Sequence, residues 1–109
     1  MFNEDLLKKA QTLPRKPGCY LMKNSSGDVL YVGKAKDLKN RVTSYFNKTP
    51  KSVKTEILVS KIKDFDFIMT GNETEAFVLE NNLIKKHGPK YNIQLRDDKS
   101  YPYVLVDSN

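Results

Sequence analysis

The sequence predicts an α+β domain, a small antiparallel sheet with helices packed around it. Three observations carry this. Two short strand-like runs are joined by a tight polar turn. Helix-period segments with recognisable caps follow them. Strands and helices do not alternate in the βαβ order that a parallel sheet requires. With 109 residues, 39% hydrophobic and 29% charged, the chain has the size of one domain with one modest core. It shows no internal repeat, low-complexity tract or clear linker.

Residues 3–12 read as a short helix with Leu6, Leu7 and Ala10 facing inward. The stretch Leu13-Pro-Arg-Lys-Pro-Gly18 ends it, because two prolines and a glycine cannot continue a helix. Cys19–Lys23 and Asp28–Gly33 read as a hairpin around Asn24-Ser-Ser-Gly27. A symmetric hairpin centred between Ser25 and Ser26 would set Tyr20 directly opposite Tyr31, on one face and within roughly 5.5 Å at Cβ. Asp37 is a candidate N-cap for a helix over Leu38–Phe46. Residues 51–63 form a lysine-rich helix carrying Ile57, Leu58 and Ile62. Phe65–Thr70 is a third strand. Asn72 with Glu75 resembles a capping box opening a helix that runs to His87 and stops at Gly88-Pro89. Residues 90–99 read as a polar loop, and Tyr101–Val106 as a last short strand.

Composition excludes several chemistries. A single cysteine, Cys19, allows no internal disulfide and reads as a small core residue. One cysteine and one histidine, His87, are too few for a structural zinc site, and a Ser-His-Asp triad would have to draw His87 from a helix end. No apolar run reaches the roughly 20 residues of a membrane span, and the N-terminus lacks the pattern of a signal peptide. A cytoplasmic location is therefore the expectation. The net charge is +6, and most of it is concentrated. Lys34 to Lys63 holds nine basic residues against Asp37 and Glu56, a balance of +7, while the rest sums to −1. Such a segment fits a polyanionic partner or a solvated lysine-rich surface.

Two helices carry polar residues where their period asks for apolar ones. At about 100° per residue from Ala76, Leu79, Leu83, Ile84 and Phe77 form an apolar arc, and Glu80 falls inside it. A carboxylate there is either paired with a structural cation or used as a ligand for a hard divalent ion. In 38–46 the inward face holds Leu38, Arg41, Val42, Tyr45 and Phe46. Arg41, one turn from Tyr45, could clamp a phosphate through two parallel hydrogen bonds or pair with Glu80. Lys34 follows the Tyr31 strand after Gly33, a glycine that frees the backbone. The interior polar set of Tyr20, Tyr31, Arg41, Tyr45 and Glu80 offers no imidazole base. It matches metal-assisted phosphodiester hydrolysis.

At these residues a family becomes visible. Gly18-Cys19-Tyr20 followed by Tyr31-Val32-Gly33 resembles the paired triplets of the GIY-YIG nucleases, with Cys19 and Val32 in place of isoleucine. Tyr20, Tyr31, Lys34, Arg41, Tyr45, Glu80 and Asn92 follow in the family's order. Leu13–Met22, Tyr31–Lys36, Asn82–Lys86, Pro89–Asn92 and Asp97–Pro102 are similar to the start of the UvrC branch of that family. The likeness covers nearly the whole chain. Because UvrC proteins are several times longer, it implies one nuclease domain, the N-terminal part of a larger protein.

The resemblance implies a central three-stranded antiparallel sheet. It also implies an endonuclease that hydrolyses one phosphodiester bond 3′ to a lesion in damaged double-stranded DNA, within excision repair, using one Mg²⁺ or Mn²⁺ ion. Glu80 is then the metal ligand and Tyr31 the general base. Lys34 eases Tyr31's ionisation and Arg41 neutralises phosphoryl charge. Tyr20 and Tyr45 orient water and phosphate, and Asn92 fixes the site. Lys36, Lys39, Lys48, Lys51 and Lys54 are expected to bind DNA. UvrB is the expected partner, through regions outside this chain, and the fragment is expected to be monomeric. The competing readings are a nucleic-acid-binding module that never cuts and a GIY-YIG nuclease of restriction or homing type.

Overall fold

A computed structural model of the chain describes residues 4–92. Its elements run α1 (Glu4–Gln11), β1 (Gly18–Lys23), β2 (Val29–Ala35), α2 (Leu38–Phe46), α3 (Val53–Lys61), β3 (Asp64–Met69) and α4 (Glu73–His87). The three strands form one antiparallel sheet in the order β2-β1-β3, the architecture expected. The proposed strand Tyr101–Val106 and most of the 90–99 loop lie outside the described residues. Residues 90–92 are helical rather than loop.

The alternation of β1 splits its side chains between two layers. Tyr20 and Met22 enter a core with Leu6, Ala10, Leu38, Val42, Phe46, Leu58, Ile62 and Phe65. Cys19 and Leu21 lie on the other face, where α4 packs on β1 and β2. There the Cys19 thiol donates to the Ala76 carbonyl at 3.1 Å. One face is thus sealed by α1, α2 and α3, the other by α4.

Helix starts follow from local chemistry. Asp37 accepts from the Asn40 amide, Ser52 from Thr55 and Asn72 from Glu75. The Glu75 carboxylate returns to the Gly71 amide, one residue before the cap that a strict capping box would use. α2 has a second support. Its Leu38 and Lys39 amides donate to the Lys16 and Pro14 carbonyls, so the proline-rich stretch after α1 caps α2. α4 ends at Gly88 in the left-handed conformation, φ 53°.

The hairpin register differs from the symmetric one. Tyr20 pairs with Gly33, and Tyr31 with Met22. The turn places Gly27 at φ 87°, with its amide donating to the Asn24 carbonyl, and the Asn24 side chain accepts from the Ser26 and Asp28 amides. A second irregularity follows beside Met22/Lys23, where Leu30 is the extra residue on β2. Each one-residue slip would reverse the faces. Two slips restore them, so Tyr20 and Tyr31 still share a face, as diagonal rather than direct neighbours.

One further expectation is corrected. Phe77, placed on the inward arc of α4, is 52% exposed. It stands at the margin of an arc drawn too wide: a single flat sheet face touches a narrower stripe of the helix.

Candidate active site

The predicted tyrosines and arginine meet at the β2 edge, under α2. The Tyr20 and Tyr45 hydroxyls are 2.8 Å apart, and Arg41 Nε donates to the Tyr20 oxygen at 3.4 Å. Arg41 can only donate, so Tyr20 can pass its own proton to Tyr45. Ring centroids lie 6.3 Å apart for Tyr20–Tyr31 and 5.6 Å for Tyr20–Tyr45. The Arg41 guanidinium sits 5.4 Å from the Tyr45 ring centre. Tyr20 and Tyr45 are buried, Tyr31 is half-buried and Arg41 is exposed at the mouth.

Gly33 makes this cluster sterically feasible. A Cβ there would stand 2.3 Å from the Tyr20 ring and hydroxyl. The phenol crosses the sheet over Gly33 to reach Tyr45. Its role is therefore room for a side chain, not backbone freedom, since the positive-φ glycines among the described residues are Gly27 and Gly88. Gly18 is constrained likewise, by the Ile68 carbonyl and the Leu38 side chain.

Electrostatics ties Glu80 to the same edge. Its half-buried carboxylate raises the Tyr31 phenol pKa and, with Lys34 acting oppositely, affects the Cys19 thiol. Tyr31 is raised above the usual phenol range, first by burial, then by Tyr45 and Glu80, with Arg41 opposing. Tyr20 is held well above its usual value by burial. Burial pushes the Cys19 thiol up to about 11, which makes it a core residue rather than a nucleophile.

Asn92 acts on backbone. Its side-chain oxygen accepts from the Val32 amide at 2.7 Å and its amide donates to the Val32 carbonyl at 2.8 Å. Val32 lies on the outer strand of the sheet, so Asn92 stands in for a missing strand partner and fixes the segment bearing Tyr31, Gly33 and Lys34.

Two clefts contain predicted site residues. One, of 480 Å³, lies between Lys34–Lys36 and the α4 residues Glu73, Thr74, Ala76 and Phe77. The other, of 270 Å³, is lined by Arg41, Ser44 and Tyr45 and by Thr49, Pro50, Lys51, Ser52 and Thr55. A wider cleft of 650 Å³ near the hairpin turn and His87 contains none of the predicted catalytic residues. Among the expected DNA-binding lysines, Lys36 lines the first cleft and Lys51 the second. The Lys51 ammonium already donates to the Asn47 and Thr49 carbonyls and so holds the α2–α3 connection together. Lys48 and Lys54 are exposed, and Lys39 is half-buried on the first turn of α2, outside both clefts. Phe77, Ser44, Thr49 and Thr55 were not singled out from sequence. Only Phe77 carried a signal, at the arc's edge.

Among the described residues no three His, Cys, Asp or Glu side chains group as a metal cage. A divalent cation here would rest on one carboxylate, with water and phosphate oxygens filling its shell. That donor set suits Mg²⁺, which keeps several waters and takes one or two carboxylates.

Comparison with known proteins agrees. The UvrC-like GIY-YIG domain model matches residues 16–93. UvrABC system protein C is 55% identical in Streptococcus mutans and 57% in Streptococcus uberis, each over 104 residues, 95% of this chain. The chain spans only 17% of either relative. A crystal structure of the GIY-YIG N-terminal endonuclease domain of UvrC from Thermotoga maritima, bound to its catalytic magnesium, matches 84% of this chain and 99% of that one. Its TM-score is 0.75 at 44% identity. A point mutant of that domain with one tyrosine replaced by phenylalanine also holds its cation, at TM-score 0.74 and 43% identity. With its tyrosine-lined strand edge, its single acid and these relatives, the chain belongs to the UvrC-like GIY-YIG endonuclease domains.

Proposed function

We propose that this domain makes the incision 3′ to a lesion in damaged double-stranded DNA during nucleotide excision repair. The whole protein would act with UvrB through regions beyond this chain. The observation that carries the chemistry is the convergence of Tyr20, Tyr31, Arg41 and Tyr45 at one sheet edge, within electrostatic reach of Glu80.

Glu80 would hold the one Mg²⁺ or Mn²⁺ ion. When bound, the ion polarises the scissile phosphate and stabilises the leaving 3′-oxygen. Arg41, exposed and always charged, meets the phosphoryl oxygens from the mouth. Tyr45, accepting from Tyr20, turns its proton toward the cleft and orients the phosphate. Tyr31, in its phenolate form, takes the proton of the attacking water and returns to the neutral phenol. Its buried phenol resists ionisation, so the positive charge at the mouth is what makes that role accessible. Lys34, on the α4 face of the same strand, adds positive charge beside Glu80. Asn92 keeps β2 in place while its side chains work.

The test is a nicking assay on a damaged duplex with the remaining repair proteins supplied. Glu80→Gln should abolish cleavage while binding survives. Tyr31→Phe should slow it by about 10²–10⁴, the usual worth of a general base. Wild-type nicking by Glu80→Gln would remove the metal assignment. Absence of nicking from every form, with DNA binding intact, would make the domain a binding module.

A further inference from the structure

Beside the site stands an aromatic side chain that the reaction does not use. Phe77 is 52% exposed, one turn before Glu80 on the same side of α4. It walls the 480 Å³ cleft with Thr74 and Glu73, and Lys34 and Lys36 form the opposite wall. An exposed aromatic facing two lysines is the pairing by which single nucleotides are held: the ring stacks a base and the ammonium groups take phosphate. Glu73 decides the orientation. Its carboxylate would repel a phosphate on the α4 wall but can accept from a base N–H.

We propose that this cleft is a nucleotide subsite. An unstacked base flanking the cut link lies on Phe77, and its phosphate is held by Lys36 and Lys34. The proposal rests on the nuclease reading above and adds what that reading lacks: a requirement that the strand be opened locally. Turning a base out costs a few kcal/mol in a paired duplex and least where pairing is already lost. The subsite would thus favour DNA that is distorted next to the cut.

A four-corner binding cycle tests this in EDTA, where no cleavage occurs. The chain and its Phe77→Ala variant are titrated with a duplex holding one unpaired thymine, and with the same duplex abasic at that residue. The wild type should bind the thymine duplex about tenfold more tightly, within the range of one base–aromatic stack. Phe77→Ala should bind both alike. Phe77→Leu, which keeps apolar bulk without a π-face, should behave like alanine, and Phe77→Tyr like wild type. Val78→Ala, equally exposed but outside the cleft, should change nothing. Lys36→Gln should flatten the salt dependence by about one phosphate contact, while Phe77→Ala leaves that slope alone. Equal effects of Phe77→Ala on both duplexes, or none on either, overturn the subsite. Nicking in Mg²⁺ separates the two readings: cleavage without the Phe77 coupling sinks only the subsite, and coupling without cleavage sinks only the nuclease.

Discussion

Single residues here carry roles that their identity alone does not reveal. Gly33 sits under the Tyr20 ring, and any Cβ meets it. Gly33→Ala should cost about 1–3 kcal/mol by overpacking, and should lose activity in excess of that because Tyr20 can no longer reach Tyr45. Urea unfolding and nicking rates on the same samples check both. Cys19 makes a simpler case. With its pKa near 11 and its side chain buried against Ala76, it should resist alkylation at pH 8 and react only at the rate of unfolding. Rapid labelling of native protein would contradict the core assignment. Tyr31 gives a pH signature. In its proposed role as base, with a pKa above the usual phenol range, Tyr31 is mostly protonated at neutral pH, so the chemical step should climb about tenfold per pH unit from neutral pH upward until that pKa is reached. Tyr31→Phe should be flat.

At the scale of elements, the decisive contacts join segments distant in sequence. Asn92 completes the outer side of β2 sixty residues away. Asn92→Ala would leave a buried Val32 amide and carbonyl unpaired, at about 1–3 kcal/mol each. Exchange protection should fall first in β2, which hydrogen exchange can locate. α2 depends on Asp37, which caps its first turn and pairs with Arg15. The Asn40 amide, followed by Arg15, holds the Asp37 carboxyl below its usual value. A depressed native pKa stabilises the fold above the unfolded carboxylate range, near pH 4. That contribution disappears as pH falls through the native value. Asp37→Asn, which still caps, should therefore lose less stability than wild type between pH 5 and pH 2.5 in urea melts.

Across the whole molecule, the sheet separates two environments. The face under α1, α2 and α3 holds the apolar core and delivers the tyrosines; the face under α4 brings Glu80 and Lys34. The site forms where both layers reach the β2 edge. Basic residues in the 34–63 segment flank it, with Lys36 in one cleft and Lys51 in the other. Lys48→Gln and Lys54→Gln should weaken DNA binding uniformly across sequences and lower its salt slope. Lys51→Gln should also lower thermal stability, because its ammonium holds two carbonyls of the α2–α3 connection. A melting temperature for Lys51→Gln equal to that of the unsubstituted chain would show that Lys51 is only another surface charge.

Local and periodic signals determined the elements from sequence. Asp37 and Asn72 marked helix starts, Gly88 a stop, and alternation placed Tyr20 and Tyr31 on one face. Those signals act over a few residues, where backbone hydrogen bonding and side-chain period dominate. Arg41, Tyr45 and Glu80 were legible because each put a polar group on an apolar helix face, and Tyr20 and Tyr31 because they share a sheet face; Lys34 and Asn92 joined them through the family resemblance. Only the tertiary structure decided the hairpin's double slip, Gly33's service to Tyr20, the exposure of Phe77 and Asn92's grip on Val32. Each depends on atoms from separate segments competing for one volume or one backbone group, and no window along the chain contains both partners.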